Sequence, residues 1–288
     1  MINPHAGKGH AKHVGEQVET YLKKEGLPFR VFYTQYKRHA IALTQQCLDF
    51  GATHILVVGG DGTVHEVAQK LIGTDVILGI VPAGTGNDYA RTFNLPLHPQ
   101  QAVQTALHGT VKRVDVIRIN ESYCLNVASV GVDAQTNEET KRFKGILRGK
   151  LAYVAGALCA IVRYRPLSLQ IAWNGQAPTA QMATMCVIAN GKYYGGGFYP
   201  IAQADPENGR LDALVVDGLK KRQIPRLFLK YIRGTHANCK EAHFYQCQKM
   251  TLTCADAPLL LNSDGESYFL ERCDISIVPH CLSLAVPV

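Results

Sequence analysis

The segment Val57-Val58-Gly59-Gly60-Asp61-Gly62-Thr63 ends an apolar β-branched run in three glycines wrapped around one carboxylate. Ile55 to Val58 has the character of a buried strand, and glycines after it let the backbone turn tightly and come close to a ligand. A polyphosphate suits such a loop. From Thr63 onward, Val64, Val67, Ala68 and Leu71 recur at helical spacing, so the loop feeds a helix whose first N–H groups favour anions. Asp61 opposes that charge preference. An acid there makes chemical sense if it meets a metal ion carried by the phosphates, or takes a proton from an acceptor hydroxyl.

Two more loops have the same character. Asn3-Pro4-His5-Ala6-Gly7-Lys8-Gly9 opens the chain. Pro82-Ala83-Gly84-Thr85-Gly86-Asn87-Asp88 follows the apolar run Val76 to Val81 and leads toward a short helix. Each sets small, hydroxyl and amide residues at the carboxyl end of an expected strand, where open α/β sheets bind ligands. Neither the Walker A spacing nor the G-x-G-x-x-G dinucleotide spacing is present. A fourth feature lies far downstream, where Leu259-Leu260-Leu261 delivers Asp264-Gly265-Glu266, two carboxylates separated by one glycine. An Asp-Gly pair also favours a plain hairpin turn, and both readings stand at this level.

Asn3 to Gly9, Gly59 to Thr63 and Pro82 to Asp88, in this order and spacing, resemble the diacylglycerol kinase catalytic-domain family, which includes bacterial lipid kinases, sphingosine kinases and ceramide kinases. Asn190-Gly191, Gly195-Gly196-Gly197, Pro200, Leu211-Asp212 and Asp264-Gly265-Glu266 extend the likeness over nearly the whole chain. The resemblance implies an ATP-dependent lipid kinase that phosphorylates the hydroxyl of a lipid alcohol, diacylglycerol first among the acceptors. It implies ATP held by Asn3, Pro4, His5, Ala6, Gly7, Thr34, Gly60, Asp61, Gly62, Thr63, Glu66 and Thr85. It makes Glu266 the general base and gives Asp264, with Asp61, the work of organising Mg2+ and the transferring phosphate. Asp61 is the rival base, from the sphingosine-directed branch. Asp212, with the carbonyls of Gly209 and Leu214, resembles the family's structural magnesium site. Thr34 reads equally as a solvated or capping residue, and Glu66 as a helix cap. NAD kinases, which share a Gly-Gly-Asp-Gly-Thr loop, are the enzymatic competitor, and a nucleotide-binding, membrane-associated regulator is the non-enzymatic one.

The elements that must position these residues follow from patterning. Residues 1 to 115 alternate strand-like runs (27–34, 55–58, 76–81) with helix-like ones (11–26, 40–51, 63–72), which implies parallel strands and right-handed crossovers in a Rossmann-like or phosphofructokinase-like α/β nucleotide-binding domain. Only Met1 and Ile2 precede Asn3-Pro4, so the first strand is expected to be clipped. From Val114 onward the pattern changes to short β-rich runs (114–119, 124–130, 168–173, 184–189, 211–216, 249–254, 259–262 and 273–279), which implies an antiparallel β-sandwich domain over 116–288. Helical insertions are expected at about 138–163 and 221–234, and the last strand fits either domain.

Bulk properties agree with two domains, since single cores rarely outgrow ~250 residues. Nine cysteines without a C-x-x-C pair argue for reduced thiols, hence a cytoplasmic protein, and no signal-peptide pattern opens the chain. A net charge of +7 and pI of about 8.9 suit anionic partners. Lys141, Arg142, Lys144, Arg148 and Lys150, with Phe143, Ile146 and Leu147, precede the apolar run 151–162. That run is too short to span a bilayer, which takes ~20 residues. The cluster suits peripheral contact with an acidic membrane, the plain alternative being a solvated basic loop. Dispersed basic residues without aromatic platforms argue against nucleic acid. The exposed edges of a sandwich are where a homodimer would pair.

Overall fold

The computed structural model describes residues 1–143, 147 and 150–288, and the chain divides into two compact units, Met1–Asp115 with His280–Val288, and Val116–Pro279. The first unit is α/β. Its regular elements are α1 (His10–Lys24), α2 (His39–Asp49), β1 (His54–Gly59), α3 (Asp61–Leu71), β2 (Ile77–Pro82), α4 (Asp88–Thr92) and α5 (Pro99–His108). β1 and β2 run parallel in the register Ile55↔Leu78 to Gly59↔Pro82. Ile2 pairs in parallel with both Val58 and Tyr33, and Leu284 pairs in parallel with Leu78. The spatial order is therefore Tyr33, Ile2, β1, β2 and the returning C-terminal segment.

Burial explains the composition of these elements. Val57, Val58, Leu78, Ile80 and Val81 are all buried, as strands of a parallel sheet covered by helices must be. Ala11, Val14, Val18 and Leu22 of α1 share one core with Ile2, Val58 and Val81 and with Ala102 and Val103 of α5. One expectation needs correction, and one element was not anticipated. The 27–34 strand pairs only at Tyr33, and α5, whose Pro99 stands at the first helical turn, had no counterpart in the sequence reading.

β3 (Thr110–Ile119) carries the chain into the second unit, followed by β4 (Ser122–Cys124), β5 (Val127–Gly131), α6 (Val132–Phe143), α7 (Lys150–Arg163), β6 (Leu167–Trp173), β7 (Thr179–Ala189), β8 (Leu211–Asp217), α8 (Ile224–Ile232), β9 (Ala242–Cys247), β10 (Lys249–Cys254), β11 (Leu259–Ser263), β12 (Glu266–Leu270) and β13 (Arg272–Val286). Pairing here is antiparallel: β6, β5 and β8 all lie against the long β7, β9 against β8, β10 against β6 and the first part of β13, and β11 between β5 and β12.

Alternation along β7 and β8 separates two cores. Cys186, Ile188, Leu211, Ala213 and Val215 face the first, with Leu169, Leu252 and Leu261. Met185, Val187, Ala189, Leu214 and Val216 face the second, with Ala160 and Tyr164 and with Ile224, Leu227 and Tyr231 of α8. Both faces are covered, so Met185–Ala189 of β7 and Ala213–Val216 of β8 appear in the sequence as continuous apolar runs. The expected helical insertion at 138–163 is two helices, and α6 begins earlier, at Val132. Gly156 lets α7 lie close on α6: a Cβ there would stand 2.3 Å from Thr140 Oγ1 and 2.7 Å from its backbone nitrogen.

Candidate functional site

In the first unit three loops meet, and each ends at a helix N-terminus. Gly9, at φ +93°, precedes α1; Gly60 precedes α3; Asn87, at φ +52°, precedes α4. Asn3 Nδ2 donates to Thr63 Oγ1 at 2.8 Å, which ties the first loop to the second. The Asn3 carboxamide oxygen accepts the His5 N–H, shaping the Asn3-Pro4-His5-Ala6 turn. Gly7 adopts φ +58°, and a Cβ there would lie 2.4 Å from the Ala83 carbonyl oxygen. A Cβ on Gly84 would lie 2.4 Å from Gly60 Cα. Asn87 Oδ1 accepts the Gly84 N–H at 2.9 Å and holds the Thr85-Gly86 turn. These contacts leave no room for side chains where the loops touch, and that is the physical reason for Gly7, Gly60 and Gly84.

Asp61 sits in the first turn of α3, where a carboxylate is favoured by the helix dipole. It accepts the Tyr89 N–H at 3.0 Å and so links the second loop to α4. Gly62 follows it and is exposed. Thr34 is buried, its N–H bonded to the Ile2 carbonyl. Glu66 reaches sideways, accepting the Arg38 N–H at 2.9 Å and the Ala40 N–H at 3.2 Å. It thereby caps α2, a neighbouring helix rather than its own.

In the second unit Asp264-Gly265 is a two-residue hairpin turn between β11 and β12, with φ +47° and +90°, as the two positive angles of a type I′ turn require. Asp264 is more than a turn residue. Its two oxygens accept the N–H groups of Leu125 (2.6 Å), Asn126 (3.0 Å) and Val127 (3.2 Å), fixing the start of β5. Asn262 Oδ1 accepts the Gly265 N–H and an Asn137 amide hydrogen, and Asn137 also donates to the Gly265 carbonyl. The turn that presents half-buried Glu266 is thus held from both sides.

Asp212 is buried in β8. Gln246 donates to Oδ1 at 2.9 Å, while Oδ2 is buried without a hydrogen-bond partner. Burial raises its pKa, and nearby Asp205 adds to the effect. Gly209, at φ +68°, lies in the turn before the strand, and Leu214 lies within it. An orphaned buried carboxylate oxygen fits a cation. Among the described residues, however, no group of three or more His, Cys, Asp or Glu side chains could hold a metal.

Sequence reasoning missed one further acid. Asp133, in the first turn of α6, is 4 % exposed. Tyr194 donates its hydroxyl to Asp133 Oδ1, with the Tyr153 hydroxyl at 3.4 Å and the Tyr231 hydroxyl 3.0 Å from that of Tyr194. Burial raises the Asp133 pKa, against which Ser129, Tyr194 and Tyr153 favour the charged form. The cluster borders a 30 Å³ cavity lined mainly by apolar residues of α6, α7 and α8. The aspartate follows Gly131-Val132, where a Cβ at position 131 would meet the Thr184 carbonyl oxygen at 2.4 Å. A glycine between a buried strand and an acid was the available signal.

An α/β unit with a three-loop glycine cradle, followed by an antiparallel sandwich, defines the class. The chain belongs to the diacylglycerol kinase catalytic-domain family: the family pattern "Diacylglycerol kinase catalytic domain" matches residues 1–119, and "YegS C-terminal NAD kinase beta sandwich-like domain" matches residues 126–286. A diacylglycerol kinase of Mycobacterium tuberculosis is 29% identical over 293 residues, covering 100% of this chain and 94% of that protein. A solved Bacillus anthracis structure described as a diacylglycerol kinase has a TM-score of 0.78 at 24% identity, over 99% of this chain and 95% of that one. An NAD kinase from Archaeoglobus fulgidus, solved with ATP, has a TM-score of 0.53 at 12% identity, over 94% and 88%. These two structural likenesses concern the fold.

Proposed function

We propose that the protein is an ATP-dependent lipid kinase that passes the γ-phosphoryl group to the hydroxyl of a lipid alcohol, with diacylglycerol the first acceptor to test. The observation that carries this is the convergence of Asn3–Gly7, Gly60–Thr63 and Ala83–Asn87 at three helix N-termini with Asp61 among them. Phosphoryl transfer asks mainly for positioned phosphates, charge neutralisation and a base. The cradle answers the first need with backbone N–H groups and the positive ends of α1 and α3. Asn3 to Gly7, Thr34, Gly60 to Thr63 and Thr85 are the proposed nucleotide contacts, and Glu66 shapes the cradle by capping α2.

Glu266 is the proposed base, on a turn that Asp264 and Asn262 make rigid. Asp61 is the proposed partner of the magnesium that accompanies ATP. Asp264, whose oxygens already accept three N–H groups, would act on that chemistry by holding Glu266 in place. Mg2+ at Asp212, with carbonyls of Gly209 and Leu214, would supply a second, structural positive charge. Peripheral association with a lipid surface and pairing of two copies belong to the same reading; among the described residues no helix is long and apolar enough to cross a membrane.

The test uses purified protein with γ-labelled ATP and, separately, mixed micelles of diacylglycerol, a sphingoid base, phosphatidylglycerol or undecaprenol, and NAD. Label should enter a lipid; label in NAD alone would overturn the proposal. Glu266→Gln should lower turnover ~10²–10⁴-fold, the usual worth of a general base, while ATP binding measured by calorimetry stays unchanged. A variant with undiminished turnover would return the role of base to Asp61.

A further inference from the structure

The second unit carries an apolar surface that its own core does not use. α7 buries Ala152, Tyr153, Ala157 and Ala160 and turns Leu151, Val154, Leu158 and Val162 outward, at 65%, 38%, 60% and 70% exposure. Their spacing of three, four and four residues places them on one stripe. α8 is its neighbour: Tyr153 and Phe228 stack with ring centroids 6.1 Å apart, and the Lys221 ammonium donates to the Val162 carbonyl. α8 buries Ile224, Leu227 and Tyr231 and leaves Leu229 and Ile232 exposed.

Charge decides what covers this surface. Residues 150–166 contain no acid, and residues 220–233 contain none either, yet the latter carry Lys220, Lys221, Arg222, Arg226, Lys230 and Arg233. Arg222, Arg226 and Arg233 are exposed, and with Leu229 they fall at spacings of four, three and four on the outer side of α8. A second copy docking symmetrically would bring these cations against their own images. A basic amphipathic helix beside an apolar stripe instead matches the interface of an anionic bilayer, where leucines enter the acyl boundary and arginines hold phosphates. Of the basic segment before α7 singled out in the sequence, Lys144, Ile146, Arg148 and the Lys150 side chain lie outside the described residues. α8 was read there only as a helical insertion.

We infer that the outer face of α7 and α8 docks the protein on bilayers carrying anionic phospholipid. This deepens the lipid-kinase reading and rests on it only for the acceptor that docking would deliver. Leu158 and Val162 form the C-terminal half of the apolar stripe, and Arg226 and Arg233 belong to the cationic one.

The experiment is co-sedimentation of the full chain with vesicles of phosphatidylcholine alone and of phosphatidylcholine with phosphatidylglycerol. Wild-type protein should bind the mixed vesicles, weakly bind the neutral ones, and release as salt rises. Arg226→Glu with Arg233→Glu should weaken binding at least tenfold, taking about fivefold per cation as the guide. Leu158→Glu with Val162→Glu should do the same at unchanged melting temperature, since the replaced side chains are exposed. Unchanged binding in both double variants overturns the inference. So does a monomer produced by Leu158→Glu with Val162→Glu from a wild-type dimer in sedimentation velocity, with vesicle binding intact. Turnover on a short-chain, monomerically dispersed acceptor separates the two proposals. Both variants should retain it, and wild-type protein that binds vesicles yet phosphorylates no lipid would refute the kinase reading alone.

Discussion

Asp61-Gly62 and Asp264-Gly265 are the same dipeptide in two differently built regions. Asp61 opens a helix in a place where three loops touch through glycines, and it accepts the N–H of Tyr89. Asp264 occupies a left-handed turn position, and its two oxygens accept three consecutive N–H groups at the start of β5. One acid stands within a cradle whose form comes from backbone; the other is itself the clamp that gives backbone its form. Removing them should therefore damage different things. Asp264→Ala strands three N–H groups and leaves alanine at φ +47°, and it should cost about 3–5 kcal/mol of folding stability. Asp61→Ala loses one such bond at a half-buried site and should cost about 1 kcal/mol, while abolishing turnover. Urea unfolding of the two variants checks this. A loss under about 1 kcal/mol at Asp264 would erase the distinction.

Within the cradle the glycines divide in the same manner. A Cβ on Gly84 collides with Gly60 Cα, backbone against backbone, whereas one on Gly62 meets nothing within 4 Å. Gly84→Ala should cost about 1–3 kcal/mol, as overpacking does, and weaken nucleotide binding by forcing the loops apart. Gly62→Ala, inside α3, should be neutral or stabilising by up to ~1 kcal/mol. Thermal melts with and without ATP measure both. Equal effects at the two positions would show that backbone flexibility, not inter-loop contact, is what the glycines supply.

A weaker tie sharpens the same point. Asn3→Ala removes the 2.8 Å bond to Thr63 that joins the first two loops and should cost about 1 kcal/mol. Thr63→Val should cost a similar amount, and the double variant less than the sum, since each single change already breaks the same bond. Strict additivity in that cycle would mean the bond contributes nothing.

These contrasts explain what could be read from the chain. The cradle was legible because its constraints are local: β1, β2 or the paired Ile2 ends, glycines follow, and a helix begins. The parallel unit and the sandwich were legible from periodicity. Glu66 was less so, since its partners Arg38 and Ala40 lie 28 and 26 residues away, and no spacing rule connects them. Asp264 showed the same limit, its turn plain in the dipeptide and its clamp formed with residues 137 to 139 positions earlier. Asp133 was hidden altogether. Its tyrosines lie 20 and 61 residues away, and the exposed stripe of α7 looks identical in sequence to a buried one. Alternation was also masked in the parts of β7 and β8 where both faces are covered, Met185–Ala189 and Ala213–Val216, in which every position is apolar.

The smallest effect tests the hidden acid. Burial lifts the Asp133 carboxyl above its ordinary value. Between that ordinary value and the raised one, the folded protein keeps a proton that the unfolded chain has already shed. Stability therefore falls as pH rises through this window, because the unfolded state there binds fewer protons. Asp133→Asn keeps an acceptor for Tyr194 and carries no charge to desolvate, so it lacks that slope. Urea midpoints of wild type and variant, followed from about pH 4.5 to about pH 7.5, should diverge in favour of the variant as pH increases. Asp264→Asn, by contrast, should be less stable than wild type, since an acceptor of three N–H groups is weakened. A gap between wild type and Asp133→Asn that does not change with pH would mean that the tyrosine hydroxyls fully compensate the burial of the carboxylate.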